Sequence, residues 1–261
     1  MKKTFAEEKR VNVKTKWDYS DLANSYLQRP DYSVNAIDAM LDIAGIADGQ
    51  VVCDVGAGVA HLTLMLASKK LLITAVEPND NMRNLGRERT RDFSNIQWIE
   101  GTGENTGQPS KHFDLVTFGS SFNVCHRQHA LKETARILKE NGWFACIWNH
   151  RQLEDVVQNE IEIIIKEHVP AYKYGSRRED QRRTIETSNL FTSVIHLNSQ
   201  VIHEQTVQEC VEAWRSHATL SQQAAGKFND VVNAIEKYLF NLSIKTIKVP
   251  YFTNIWMAKL K

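Results

Sequence analysis

The sequence predicts a doubly wound α/β fold, on three observations. Short β-branched, apolar runs recur along the first 150 residues at Val51–Val55, Leu71–Val76, Phe113–Phe118 and Trp143–Trp148, the pattern of strands buried on both faces of a parallel sheet. Amphipathic segments of helical period separate them. The first run ends at Gly56-Ala57-Gly58, after which Leu62, Met65 and Leu66 recur at helical spacing. A strand, a glycine turn and a helix in that order form a ligand crevice, because glycine lets the backbone turn sharply and turns its N–H groups toward the ligand.

Each element follows from a local signal. Val34 to Ile46 carries an apolar face of Ala36, Met40, Leu41 and Ile43, and Asp48-Gly49 is read as its end. After Glu77-Pro78, Asn79 or Asp80 caps a helix reaching Arg89. Ile96–Ile99 is a short strand followed by the Gly- and Thr-rich stretch Glu100–Gly107. Phe113–Phe118 runs into Gly119-Ser120-Ser121, and Leu131–Leu138 is a helix that Asn141-Gly142 closes with a left-handed cap before Trp143–Trp148. Beyond Arg151 the pattern loosens. Helices are expected over Val156–Val169, Val207–Ala218 and Phe228–Leu242, with strands at Val194–Leu197 and Val201–His203. Thr246–Tyr251 and Thr253–Ala258 read as a closing antiparallel strand, with Pro250 tolerated only at its start or at an edge.

Composition narrows the function classes. A chain of 261 residues, 42% hydrophobic and 24% charged, buries a full core without staples. A net charge of +1 gives no general attraction to polyanions, so no nucleic-acid partner is expected. The cysteines Cys53, Cys125, Cys146 and Cys210 are dispersed, which points to reduced thiols in a cytoplasmic protein and to no metal site. No apolar run reaches membrane-spanning length, and Met1–Lys16 reads as a polar arm without a signal-peptide core.

Two carboxylates give the glycine turn its context. Asp54 precedes Gly56 by two residues, and Glu77 ends the next strand, where an acid holds a ribose diol by paired hydrogen bonds. That feature alone also fits a nicotinamide dinucleotide, whose fingerprint, however, wants Gly or Ala where this chain has His61. No Tyr-x-x-x-Lys pair follows the fifth strand either. The pattern Asp54-x-Gly56-x-Gly58-x-Ala60 with Glu77 resembles the class I S-adenosylmethionine (SAM)-dependent methyltransferase superfamily, over about Tyr19 to Arg151. Ala60 and Thr102 depart from it, standing where the family commonly has a glycine and an acid.

The resemblance implies a mostly parallel, seven-stranded Rossmann-like sheet with an antiparallel C-terminal strand and helical cap insertions. It implies SAM as cofactor, S-adenosylhomocysteine as product and a small-molecule acceptor, within secondary metabolism. Residues 1–32 would form an arm and lid, 33–151 the SAM-binding core, and 152–261 the cap helices and closing strands. The segment Trp17–Tyr32 reads either as a packed surface helix or as a lid that brings Tyr26 and Arg29 to the methionine end of SAM. The other cofactor contacts implied are Asp54, Gly56, Ala57, Gly58, Glu77, Pro78, Met82, Thr102, Gly103, Glu104, Gly119 and Ser120. The rival readings are an NAD(P)-dependent oxidoreductase and a protein that binds SAM without catalysis.

Methyl transfer from a sulfonium needs a positioned acceptor, exclusion of water and, for some acceptors, a base. Histidine suits that last role, and His126, His150 and His217 follow segments that end near the crevice, whereas His112, His129, His168, His196 and His203 read as peripheral. Trp148, Trp214, Tyr172 and Tyr174 are candidates to stack on a flat acceptor. Arg177-Arg178 and Arg182-Arg183 read first as a solvated face paired with Glu179 and Asp180, and second as a receptor for an anionic acceptor. The amino-methylating Asp/Asn-Pro-Pro-Tyr box is missing after the fourth strand, which argues against a base-modifying enzyme.

Overall fold

A computed structural model describes Tyr26, Leu27 and residues 29–261. The expected arm and the start of the expected lid, up to Ser25, lie outside the described residues. The first half alternates helix and strand: α1 (Val34–Ala44), β1 (Val51–Val55), α2 (His61–Ala67), β2 (Leu72–Val76), α3 (Asp80–Arg89), β3 (Ile96–Ile99), β4 (Phe113–Gly119), α4 (Arg127–Ile137) and β5 (Leu138–Arg151). The second half runs α5 (Val156–His168), α6 (Arg182–Glu186), β6 (Ile195–Thr206), α7 (Val207–Arg215), α8 (Ala218–Ala224), α9 (Phe228–Asn241) and β7 (Thr246–Lys259).

Among the described residues the strands form one seven-stranded sheet in the order β3-β2-β1-β4-β5-β7-β6. β1 to β5 pair in parallel, and β7 runs antiparallel to both β5 and β6. Successive residues of the central strands enter different cores, as period-2 geometry requires. Val52, Leu115, Ala145 and Met257 pack with Ile37, Met40, Leu62 and Leu66 of α1 and α2, while Cys53, Val116, Cys146 and Ala258 pack with Leu131 and Ile137 of α4. Strands buried on both faces explain the near-continuous apolar runs. A third core unites α5, α7 and α9 with Ile247, Val249 and Tyr251 of β7, forming the cap. Strand order reverses between β1 and β4, so the crevice opens at their carboxyl ends.

Several boundaries differ from the sequence reading. α1 ends at Gly45, whose φ of 66° supplies the left-handed cap, rather than at Asp48-Gly49. α4 begins at Arg127 and passes directly into β5. Asn141, at φ 65°, lies within that strand, where the pairing register shifts, and does not cap the helix. The two short strands expected near residue 200 are one strand, β6. The helix expected over Val207–Ala218 stops at Arg215, and the ring of His217 then accepts the Leu220 N–H to start α8.

Pro250 lies inside β7, paired with Ile202 of β6 and one residue before the pairing with β5 begins, so on that side it stands at an edge. Its carbonyl accepts from Gln152 N, one residue past Arg151, the last residue of β5 to pair with β7. In an extended strand a residue's N–H and C=O share a side, so the donor that proline lacks falls where β5 has already ended.

Candidate active site

A cavity lies over the carboxyl ends of β1, β2 and β4 and extends beneath the cap. Its floor is set by glycine. Gly56 has φ 69°, and a Cβ there would lie 2.4 Å from Ser121 Cβ, so only glycine closes this turn without displacing β4's exit loop. Ala60 holds φ 75° while fully buried, so the loop keeps its left-handed step although glycine is replaced.

The two acids are anchored differently. Asp54 is fully buried and accepts from Thr63 Oγ1 at 2.7 Å and Thr117 Oγ1 at 3.1 Å. Burial outweighs those hydrogen bonds and pushes its carboxyl up to about 6. Glu77 accepts from Gly58 N at 2.9 Å with Oε2 and from Asn79 N at 2.8 Å with Oε1. Burial raises its pKa above the ordinary value. Each carboxylate oxygen keeps a further lone pair, the acceptor pair a vicinal diol requires. Asn79 caps α3 through Met82 N, which places Met82 at the cavity. Glu104 accepts from His126 N and ties the Gly101–Gly107 loop to the start of α4. Thr102 Oγ1 accepts from Asn105 N within that loop.

Over this floor, His61 holds the segment that begins at Tyr26. Its Nδ1 meets Asp31 Oδ1 and its Nε2 meets the Tyr26 carbonyl, both at 2.9 Å. Both partners are acceptors, so an imidazolium satisfies both contacts and a neutral ring only one. The Arg29 guanidinium stacks 3.5 Å above the Tyr26 ring and donates to the Ser216 carbonyl. Tyr32, which sequence reasoning did not single out, shares a hydrogen bond with Ser120 Oγ at 3.0 Å.

Every cofactor contact implied by the resemblance, from Tyr26 and Arg29 to Gly119 and Ser120, lines this cavity. The histidines divide. His217 lines it; His126 and His150 do not. His126 is exposed at the N-cap of α4 and stacks on His129. His150 Nε2 meets the Arg177 carbonyl at 2.8 Å and its Nδ1 faces the Asn254 amide, while burial pushes its pKa down to about 4. His217 is buried, and burial together with Arg177, Arg151 and Arg29 holds it well below the ordinary imidazole value.

The arginines divide too. Arg182 pairs with Asp180 at 3.0 Å on an exposed face, as expected. Arg177 and Arg178 turn into the cavity beside Tyr174, Asn149, Arg151 and Tyr251, against the first reading. Trp148 also lines the cavity, whereas Tyr172 and Trp214 are core residues of the cap. Asn149 and Arg151 at the end of β5 carried no motif, and only the fold brings them to the site. Among the described residues no cluster of three potential metal ligands occurs, and no helix is long and apolar enough to cross a membrane.

The fold and the site thus define a doubly wound α/β protein with an acid-lined, glycine-floored crevice at its switch point. Residues 53–146 match the family described as "Methyltransferase domain". Among curated relatives, the ubiquinone/menaquinone biosynthesis C-methyltransferase UbiE of Ectopseudomonas mendocina is 31% identical over 109 residues, covering 39% of this chain and 43% of the relative. The demethylmenaquinone methyltransferase of Staphylococcus epidermidis is 29% identical over 140 residues, covering 52% and 56%. The matched stretches thus span about half the length of these relatives. Among solved structures, the YcgJ protein of Bacillus subtilis superposes with a TM-score of 0.54 at 15% identity, covering 88% of this chain and 99% of that one. Phosphoethanolamine N-methyltransferase 2 of Haemonchus contortus, solved with S-adenosylhomocysteine, gives 0.52 at 14% identity over 91% of this chain and 56% of that one. Over residues 53–146 the chain thus resembles methyltransferase domains, by both the family match and the curated relatives.

Proposed function

We propose that this protein transfers a methyl group from SAM to a small-molecule acceptor. The observation that carries the reading is one continuous cavity with Asp54, Glu77 and the Gly56–Gly58 turn at one end and the cap at the other. When bound, SAM supplies a methyl group activated on a sulfonium centre.

The chain's residues supply position and exclusion. The free lone pairs of Glu77 receive the ribose hydroxyls, and the Gly56 turn lets the backbone approach them. Met82 and the Thr102–Glu104 loop flank the adenine, with Thr102 offering no carboxylate to its amino group. Arg29 would hold the methionine carboxylate with its planar fork, and Asp54 would face the positive charge at that end. The segment from Tyr26, pinned by His61, excludes water. The cap, residues 152–261 of the proposed organisation, seats the acceptor. The family match ends at Cys146, before the cap, so the quinone chemistry in the relatives' names does not carry over to this acceptor.

The rival nicotinamide reading loses its glycine position to His61, whose ring is occupied by Asp31 and Tyr26. Calorimetric titration with SAM, S-adenosylhomocysteine and NADH tests the reading. Binding of both adenosyl ligands without NADH is expected, and NADH binding alone would overturn it. Transfer of a labelled methyl group then separates an enzyme from a protein that merely holds SAM.

A further inference from the structure

The cap end of the cavity is unlike its floor. Arg151, the last residue of β5, and Arg177 and Arg178 of the turn Gly175–Arg178 converge on it, each partly buried. Elsewhere Arg83, Arg136, Arg182 and Arg215 each pair with a carboxylate. Among the described residues these three have none within ion-pair distance. Glu162, which bears electrostatically on Arg178, already accepts from the Tyr174 hydroxyl and pairs with Lys166 at 3.1 Å.

What the guanidiniums do contact leaves donors unmet. Arg151 stacks 4.0 Å over the Trp214 ring, and its Nε has no protein partner. Arg178 donates to the Arg151 carbonyl at 2.8 Å and lies 4.1 Å over the Tyr174 ring. Arg177 donates through Nη2 to His217 Nε2 at 2.8 Å, while the Leu220 N–H points at His217 Nδ1 at 3.2 Å. A neutral imidazole carries one N–H and one acceptor nitrogen, so it can accept from only one of these donors. Burial also lowers Arg177 to about 10, which marks a cation held without a counter-charge.

We propose that this end of the cavity is an oxyanion site, and that the methyl acceptor carries a carboxylate or phosphate group received by Arg151, Arg177 and Arg178. The proposal rests on the methyltransferase reading and adds the acceptor's class. Planar guanidinium forks match the oxygens of either group and supply charge-assisted hydrogen bonds. An oxyanion that accepts the Nη2 hydrogen bond of Arg177 leaves His217 to accept from Leu220 alone. Tyr174, beneath Arg177 and Arg178, supplies the aromatic surface beside the anion.

The test uses the full chain saturated with S-adenosylhomocysteine, titrated calorimetrically with glutarate, benzoate and phenyl phosphate and with the neutral counterparts glutaramide and benzamide. Saturable binding of at least one anion and none of the amides is expected. Carboxylates alone would assign the site to a carboxylate, and phenyl phosphate alone to a phosphate ester. Arg177→Gln and Arg178→Gln should each weaken that anion about 10–100-fold, the range for one charge-assisted hydrogen bond, and leave S-adenosylhomocysteine affinity intact. Arg177→Lys keeps the charge but not the fork and should recover only part of the loss. Amides binding as well as anions, no anion binding, or unchanged anion affinity in both Gln variants would overturn the proposal. Failure of S-adenosylhomocysteine itself to bind would instead overturn the methyltransferase reading.

Discussion

The two ends of the cavity are built by different means. The floor is set by main-chain turns and short side chains at strand ends: a glycine turn, two strand-end acids and a loop, all within the matched stretch 53–146. The cap end is made of long side chains from a strand end, a short turn and a helix junction, far apart in sequence. A floor held by main-chain geometry tolerates little change and serves a constant ligand. A wall of guanidiniums and rings can be re-drawn by single substitutions, which suits a ligand that differs between relatives.

The sharpest way to break this contrast is Gly56→Ala. The left-handed backbone and the 2.4 Å approach to Ser121 Cβ together should cost about 3 kcal/mol of stability, read from urea unfolding, and should abolish S-adenosylhomocysteine binding. Ala60→Gly is its control. Relief of the positive φ and loss of one buried methyl group nearly offset, so stability should move by less than about 1 kcal/mol. A benign Gly56→Ala would mean that backbone geometry does not define the floor.

Next in size is Glu77→Gln. The carboxylate accepts from two backbone N–H groups, and an amide must turn its own N–H toward one of them. Cofactor affinity should fall about 10–100-fold by calorimetry, while binding of the anionic probes at the cap stays within about twofold. Equal loss at both ends would show that floor and cap act as one unit.

Asp54→Asn should separate stability from function. The wild-type carboxyl rises from 3.8 to about 6 on folding. Below that interval the group is protonated in both states and costs nothing. As pH rises through it the unfolded chain releases its proton first, so the folded state loses stability until about pH 6. The asparagine variant escapes this penalty, and the Thr63 and Thr117 hydroxyls can rotate to serve an amide. Thermal melts should show the variant more stable by about 1–2 kcal/mol at pH 7.5, with the advantage shrinking toward pH 4, yet weaker in SAM binding. A variant less stable at pH 7.5 would mean that Asp54 has a counter-charge.

What sequence reasoning recovered follows the same division. The strands and the Gly56–Gly58 turn were legible because strand periodicity and glycine turns are local signals, whereas the other floor residues, Glu77 apart, are named only through the resemblance to a known family. Helix ends were less so: α1 stops at Gly45 and α7 at Arg215, where a left-handed residue and the His217 ring compete with the helix. The cap end was hidden for a further reason. Arg177-Arg178 and Arg182-Arg183 read alike as basic pairs beside acids, and only the turn at Gly175–Arg178 sends the first pair inward. Asn149, Arg151 and Tyr251 have no motif at all; the antiparallel pairing of β5 with β7 places them.

The histidines supply the smallest expected effect and a check on the cavity's boundary. His126 precedes α4 and accepts from His129 N, so His126→Ala removes a helix cap. That should cost about 0.5–1 kcal/mol. The ring stands outside the cavity, and the link from Glu104 is to its backbone N–H, which alanine keeps. Methyl-transfer turnover, once an acceptor is found, should therefore stay within about twofold of wild type, as expected for a residue that touches neither ligand. A hundredfold fall in kcat at unchanged stability would place the reacting atoms beside α4 and would move the active centre away from the space between Glu77 and Arg177.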